Sequence, residues 1–190
     1  MTARWVVEEV APARDLTVHW RPISLLFKNN PDPESSYYSR VVSTHKMLRV
    51  MESVRAAEGE GPIQALYWEM ATRVHHDKNV DVPMAEVLTA VGLDPAHAAA
   101  FDDESWDDVI RPAHDDGLAL VGNDVGTPII AIPDGNGGRI GIFGPVITRV
   151  PTGEQALQLW DGMVACMTVP GFWELKRTRT ESPEVGPRPV

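Results

Sequence analysis

The side chains that could support redox or metal chemistry are few and scattered in this sequence. Cys166 is the only cysteine, so the chain cannot form an internal disulfide or a cysteine-rich zinc site. It lies among apolar residues late in a predicted helix, where the helix dipole disfavours a thiolate. We therefore interpret Cys166 as a buried structural thiol.

The densest group of metal-binding residue types is His75-His76-Asp77. Neighbouring residues of a helix point about 100° apart, so these side chains would not share one metal ion. The H-E-x-x-H spacing of a zinc-binding helix is absent. Histidine instead suits the negative C-terminal end of a helix, and the sequence predicts no metal site.

Acidic residues cluster at positions 102–104 and 107–108. Paired carboxylates can perform acid–base catalysis, but no neighbouring motif supports that role. We interpret the cluster as a solvated loop followed by the start of a helix, whose dipole favours acidic side chains.

Two glycine-rich stretches, 122–126 and 135–138, are interpreted as turns because neither matches a phosphate-binding or dinucleotide-binding motif. Between them, Thr127-Pro128 stands at the start of a predicted strand. Proline weakens the preference for the trans peptide, and Gly-Thr-Pro follows a helix and precedes a hairpin at this point. We therefore predict a cis bond between Thr127 and Pro128.

The bulk composition excludes several classes of protein. The chain has 190 residues, 43% of them hydrophobic, which suffices for one domain or for a core domain with an inserted subdomain. Its net charge of −10 argues against nucleic-acid binding and against docking on an anionic membrane. No apolar run approaches the ~20 residues that span a bilayer, and residues 1–5 do not resemble a signal peptide. We expect a cytoplasmic protein without nucleic-acid or membrane partners.

Hydrophobic periodicity predicts a helix, a strand, a block of helices, a hairpin and a last helix, in that order. The first helix covers residues 2–10 and ends at Pro12, and alternation over residues 16–20 predicts a strand that continues or bends at Pro22. The later predicted elements are helices 37–57, 62–74, 84–91 and 95–101, a helix from N-cap Ser105 to 121, strands 128–132 and 139–143, and a helix capped by Thr152. Since an isolated strand cannot satisfy its backbone hydrogen bonds, the first strand must join the hairpin in one sheet.

The C-terminal third carries a resemblance to a known family. The relevant runs are Val121-Gly122-Asn123-Asp124-Val125-Gly126-Thr127-Pro128, Phe143-Gly144-Pro145-Val146, Gly153-Glu154, Leu159-Trp160-Asp161 and Phe172-Trp173-Glu174-Leu175-Lys176-Arg177-Thr178-Arg179-Thr180. With these runs the chain resembles the DsbA-like thioredoxin-fold family, in its mycothiol-dependent (nitro)reductase branch. The resemblance covers nearly the whole chain and is most specific after His114.

The resemblance implies an α/β, thioredoxin-like fold with a helical insertion. The thioredoxin-like core would comprise residues 1–33 and 122–175, and the helical insertion residues 34–121. Residues 176–190 would form a C-terminal tail, which is charged and rich in proline, so we expect about its last ten residues to be disordered.

The resemblance also implies a substrate site. Pro128 would be the cis-proline opposite the family's active-site cysteines, and Thr127 would present its backbone to a bound thiol or disulfide. Asn29 and Tyr37 match residues that line the family's substrate pocket, whereas the sequence around His45 departs from the family pattern. The low-molecular-weight thiol mycothiol is implied as a co-substrate, with no tightly bound cofactor.

The front of the chain departs from this family. Family members begin with a strand followed by Cys-Pro-x-Cys at the start of the first helix, whereas residues 2–10 resemble the part of that helix after the motif. The first strand, which is central in the family's sheet, and both redox cysteines are missing from the 190 residues. Three outcomes are open: an upstream start of the reading frame supplies them, the two strand edges pair directly, or a second copy fills the gap in a homodimer.

The leading functional prediction is a thiol-dependent oxidoreductase that is inactive in this form, with no catalytic residue in the chain. In the family a thiolate attacks a disulfide or an electrophile, and a low-molecular-weight thiol then resolves the product. One alternative is a non-catalytic module that binds a thiol conjugate or dimerises. The other is a glutathione-transferase-like isomerase, for which Thr2 is the only suitably placed hydroxyl.

Overall fold

The structure, a computed structural model, describes residues 1–79 and 81–188. It is a mixed α/β protein that is mostly helical, with one two-stranded sheet in the described part of the chain. The chain divides into two compact units. The first unit comprises Met1–Val18 and Gly117–Gly186, and the second comprises the described residues of His19–Asp116 together with Pro187 and Arg188. The sequence placed the corresponding boundaries later, after residues 33 and 121, and its assignment of a thioredoxin-like core and an insertion stays a prediction.

The first unit begins with three consecutive helical segments: α1 (Thr2–Arg4), a π-helical segment (Trp5–Val10) and α2 (Ala11–Arg14). The prediction that Pro12 ends this helix is wrong. The hydrogen-bond ladder changes register just before Pro12, since the Ala11 N–H bonds to the carbonyl of Val6, five residues back. Proline is tolerated in the first turn of the segment that follows, where its missing N–H is not needed.

The hairpin of the first unit pairs β1 (Ile129–Pro133) with β2 (Arg139–Phe143) in antiparallel register, with Ile129 opposite Phe143. Helix α8 (Gly153–Met167) follows it. Thr152 holds the N-cap position of α8, but its side chain makes no capping hydrogen bond, so the predicted cap is wrong in its chemistry. The Glu9 carboxylate takes the Gly153 N–H instead, at 2.9 Å.

The core of the first unit joins the N-terminal helical segments to α8 and the hairpin. Trp5 is fully buried, its ring centroid lies 5.9 Å from that of Trp160, and its indole N–H donates to the Ala156 carbonyl at 3.0 Å. The apolar side chains packed around them include Val10, Met163, Ile130, Ile132, Ile142, Ile147 and Val150.

The predicted strand over residues 16–20 is wrong, and so is its pairing with the hairpin: the only ladder in the described residues joins β1 to β2. Leu16 is 36% exposed. Alternating hydrophobicity produces a strand only where a neighbouring strand supplies hydrogen bonds, and no such neighbour exists among the described residues. The predicted continuation past Pro22 is also wrong, because Leu25–Asn29 forms helix α3, capped by the Ser24 side chain.

The second unit is helical. Its elements are α3 (Leu25–Asn29), α4 (Tyr38–Glu58), α5 (Ile63–His75), α6 (Met84–Ala90), the 3₁₀ helices Pro95–Asp102 and Glu104–Trp106, and the first part of α7 (Asp107–Val121). Ser105 does not cap α7 as predicted, since a 3₁₀ turn capped by Asp103 precedes that helix. The apolar faces of these helices form one core, which contains Val50, Val54, Ile63, Leu66, Met70, Val87 and Leu88.

In the part of the chain that the structure describes, no helix combines the length and the hydropathy needed to cross a bilayer. The predicted disorder of the tail includes residues 189–190, which lie outside the described residues.

Candidate functional site

Thr127 and Pro128 lie at the entrance of β1, where hydrogen bonding holds the backbone in place. The bond between them is cis. Thr127 is exposed and Pro128 is half-buried. The Pro128 carbonyl accepts a hydrogen bond of 2.8 Å from the Gly144 N–H, which extends the hairpin by one further contact beyond β2. This end of the hairpin therefore presents Thr127 at the surface of the first unit.

The start of the first helix is tied to the same end of the hairpin. The Thr2 hydroxyl donates to the Pro145 carbonyl at 2.8 Å, and the Gly144–Pro145 bond is a second cis peptide. Thr2 is only 8% exposed. Its hydroxyl hydrogen is thus committed inside the protein, which argues against Thr2 as the ligand-binding hydroxyl of the isomerase alternative.

An apolar surface adjoins these residues. Phe143 and Val146 are 37% and 51% exposed, which is high for large hydrophobic side chains. A Cβ atom placed on Gly126 would lie 3.3 Å from the Phe143 ring, so the ring covers the backbone just before Thr127. The surface beside Thr127 can therefore contact the carbon atoms of a ligand as well as its polar groups.

Asn29 and Tyr37 belong to the second unit, whereas Thr127 and Pro128 belong to the first. Asn29 is the last residue of α3 and is exposed. Tyr37 precedes α4 as its N-cap residue and is 48% exposed. Both side chains are open to solvent, at the two ends of the loop that connects these helices.

A buried polar network, absent from the sequence prediction, links α3, α4 and α7 within the second unit. The Ser24 Oγ and the His45 Nδ1 are 2.9 Å apart, and the His45 Nε2 lies 3.0 Å from the Asp107 Oδ1. Ser24 is fully buried and His45 is 2% exposed. Hydroxyl, imidazole and carboxylate thus form one chain of hydrogen bonds.

Asp107 is held as an anion by Arg49. The Arg49 Nε and Nη2 donate to the two carboxylate oxygens at 2.6 and 2.9 Å. Burial by itself would raise the pKa of Asp107, but the hydrogen bonds and charge of Arg49, together with His45, outweigh it and hold that pKa below its ordinary value. The same contact raises the pKa of Arg49.

A second histidine completes the network. The His114 Nδ1 accepts the backbone N–H of Ser24 at 3.2 Å. The Phe27 ring packs against both imidazoles, with centroid distances of 4.7 Å to His45 and 5.7 Å to His114. Burial lowers the pKa of His45 and of His114, and nearby arginines add to that shift, so both rings are neutral near pH 7.

The order Ser24, His45, Asp107 resembles the constellation that activates a serine nucleophile. Two observations argue against that chemistry. Ser24 is 0% exposed, and its Oγ already accepts the Phe27 N–H at 3.1 Å as the N-cap of α3. A buried hydroxyl with both of these bonds holds a helix in place rather than attacking a substrate.

A sequence signal for this network exists in retrospect. His45 and Arg49 are four residues apart, and Asp107 and His114 are seven apart, so each pair lies on one helix face. Ser24 directly before an apolar run has the pattern of an N-cap. The sequence does not, however, indicate that the two faces and the cap meet.

The other residues singled out in the sequence do not form a site. No three His, Cys, Asp or Glu side chains of the described residues are grouped to hold a metal ion. Asp77 pairs with Arg188 at 2.8 Å. Cys166 is partly exposed rather than buried, because the buried positions of α8 are Ala156, Trp160 and Met163 and Cys166 flanks that face.

A comparison with known protein families identifies a family that covers most of the chain. Residues 1–177 match the family described as Rv2466c-like: Mycothiol-dependent nitroreductase Rv2466c. The matched segment contains the hairpin, its Thr127–Pro128 entrance, the helical second unit up to Asp116 and α8.

Proposed function

Since the chain belongs to the Rv2466c-like family of mycothiol-dependent nitroreductases, we propose that it binds mycothiol, or a disulfide containing mycothiol, beside Thr127 and Pro128. The family is one of thiol-dependent oxidoreductases, and mycothiol is the small thiol in its description. The proposed fold is thioredoxin-like, with the hairpin as part of its sheet and residues 34–121 as the helical insertion.

The observation that carries this proposal is the exposed residue Thr127 beside a proline whose carbonyl is fixed by Gly144. Because the hydrogen bond from Gly144 holds the backbone of the neighbouring Pro128 in place, a ligand that binds here does not first have to order this segment. The exposed parts of Phe143 and Val146 supply apolar contact for the same ligand. Asn29 and Tyr37, both exposed, are further proposed substrate-binding residues.

The cysteine content limits the chemistry of this polypeptide. Reduction of a disulfide by a dithiol needs two sulfurs: one attacks and forms a mixed disulfide, and the second displaces it and takes up the oxidation. The 190 residues hold only Cys166, on α8. We propose that this polypeptide binds the thiol ligand and does not by itself turn it over. The cytoplasmic location and a homodimer remain proposals of the same kind.

Binding is tested by isothermal titration of mycothiol into the 190-residue protein. Thr127→Trp places an indole at this exposed position and should weaken binding about tenfold or more, since a displaced ligand loses at least one good contact. Asn136→Trp adds the same bulk at the turn of the hairpin, where Asn136 is also exposed, and should bind like the wild type. Equal binding by the two variants would contradict the site.

Catalysis is tested separately, by following reduction of a nitroaromatic compound in the presence of mycothiol. We expect the rate with the protein to equal the rate without it. Turnover above that background would show that the chain is a complete enzyme and would contradict the proposed lack of catalysis, whatever the binding result. The Cys166→Ser variant should bind mycothiol with the same affinity as the wild type.

A further inference from the structure

Both polar hydrogens of Ser24, on its backbone nitrogen and on its hydroxyl, bond to imidazole nitrogens. The backbone N–H donates to the His114 Nδ1 at 3.2 Å. The hydroxyl lies 2.9 Å from the His45 Nδ1, and the direction of that bond follows from the rest of the network. The Asp107 carboxylate only accepts, so the His45 Nε2 carries the ring hydrogen and donates it. The neutral His45 Nδ1 is then an acceptor, and the Ser24 hydroxyl donates to it.

Ser24 is also the anchor of α3. Its Oγ accepts the Phe27 N–H at 3.1 Å, and its carbonyl accepts the Lys28 N–H at 3.0 Å. Helix α3 has only five residues and ends at Asn29. A helix this short is not stable by itself, so its position depends on its cap and on the packing of Phe27.

We propose that His45 and His114 are positioning residues, which clamp Ser24 in their neutral forms and thereby set the place of Asn29 at the end of α3. The role of Asn29 as a ligand contact rests on the proposed function. Since only neutral imidazoles can accept both hydrogens, the clamp is sensitive to protons and loosens in acid.

Protonation removes an acceptor in each case. A cationic His45 carries hydrogen on Nδ1, so the Ser24 hydroxyl hydrogen loses its partner at a position that is 0% exposed. A cationic His114 can no longer accept the Ser24 N–H. The charged groups acting on the two rings are Arg49 on α4, Lys28 on α3, and Asp107, Arg111 and Asp115 on α7. The carboxylates favour the cation, but burial and the basic groups outweigh them.

Amide hydrogen exchange of Phe27 tests the clamp directly, because the N–H of Phe27 bonds to the Ser24 Oγ. After correction for intrinsic exchange, protection of this amide should fall about tenfold between about pH 7.5 and about pH 5.5, as the buried hydroxyl loses its acceptor. The double variant His45→Asn/His114→Asn offers amide acceptors that do not titrate, and its protection should not change with pH. Equal protection of the wild type at both pH values overturns the clamp, and this comparison needs no variant.

Mycothiol titration at the same two pH values tests the consequence for Asn29. The ligand thiol stays mostly protonated at both, since an ordinary thiol has a pKa of about 8.5. Affinity of the wild type should fall with Phe27 protection, and the double variant should lose this pH response. His97→Asn is the matched control: His97 also bonds a serine, Ser53, at 2.7 Å in the same unit, but not α3, and this variant should keep the wild-type response.

The outcomes separate the two proposals. If mycothiol fails to bind even at about pH 7.5, the proposed function fails while the exchange experiment still decides the clamp. If Phe27 protection falls in acid but mycothiol affinity does not, the clamp exists and the positioning of Asn29 for the ligand is overturned.

Discussion

The Glu9 carboxylate accepts a 2.9 Å hydrogen bond from the backbone N–H of Gly153, a residue 144 positions later in the chain. Glu9 thereby supplies the cap of α8 that Thr152 does not make. Glu9→Ala should lower the free energy of unfolding by about 1 kcal/mol, since a helix start loses both an acceptor and a favourable charge. Urea denaturation measures this loss. Glu8→Ala removes only an exposed ion pair with Arg4 and should lower the free energy of unfolding by only about a few tenths of a kcal/mol. Equal losses for the two variants would contradict the cap.

Replacing Trp5 with phenylalanine should lower the stability of the protein more than the same replacement of Trp173. Trp5→Phe removes the indole N–H that bonds to the Ala156 carbonyl and leaves a void in a fully buried position, which should cost about 2–3 kcal/mol. Trp173→Phe makes the same change at a residue that is 90% exposed, and it should be neutral. Denaturation midpoints of the two variants measure this difference, and similar midpoints would argue against the assignment of Trp5 to the core.

Asp107→Asn should destabilise the second unit because it leaves Arg49, a residue that is only 5% exposed, without its counter-charge. Breaking a buried ion pair costs about 3–5 kcal/mol, and we expect about 2–4 kcal/mol because the Asp107 side chain retains 26% exposure. Asp108→Asn, which removes the same charge from the next residue of the same helical turn, is the control. Thermal unfolding should show a clear loss for the first variant and almost none for the second.

Stability should fall as the solution is acidified below about pH 6.5, the ordinary pKa of histidine. Burial lowers the pKa of His45 and of His114, so the unfolded chain binds protons that the folded chain does not. Their stabilising contribution is complete above that pH and is lost progressively below it. Urea midpoints at about pH 7.5 and 5.5 measure the effect.

The double variant His45→Asn/His114→Asn isolates this contribution. It keeps His75, whose pKa is lowered by burial in the same direction, and Glu52, whose pKa burial raises and which acts in the opposite direction. Its midpoint should depend less on pH than that of the wild type. An unchanged pH dependence would mean that these two rings are protonated equally in both states.

Two glycines should respond to alanine with opposite signs. A Cβ on Gly141 would lie 2.8 Å from the Leu120 Cβ, so Gly141→Ala forces the backbone of β2 or α7 to move and should cost about 1–3 kcal/mol. A Cβ on Gly162, inside α8, would meet nothing within 4 Å. Gly162→Ala should stabilise by about 0.5–1 kcal/mol through helix propensity. Denaturation curves with the same sign for both variants would contradict this packing.

Helices α4 and α5 were predictable from the sequence. The helices predicted at 37–57 and 62–74 agree with α4 and α5 to within a residue or so, because an apolar stripe at helical spacing is encoded locally. The hairpin followed from two β-branched runs separated by a glycine-rich turn, and the bond that the sequence singled out at Thr127–Pro128 is cis. The family resemblance placed Thr127, Pro128, Asn29 and Tyr37 in a substrate site, which stays a prediction.

Contacts between distant segments were not predictable. A strand pattern at residues 16–20 is real as a pattern, yet a strand forms only when a neighbour completes its hydrogen bonds, and local sequence does not encode that neighbour. For the same reason the hydrogen bonds of Ser24 to His45 and His114 could not be predicted, because these three residues belong to three different helices. The sequence alone determined the side-chain types and their periodicity, because these are local properties of the chain. The partner of each buried polar group was decided by tertiary structure, because satisfying a hydrogen bond away from water requires two groups that only the folded chain brings within reach.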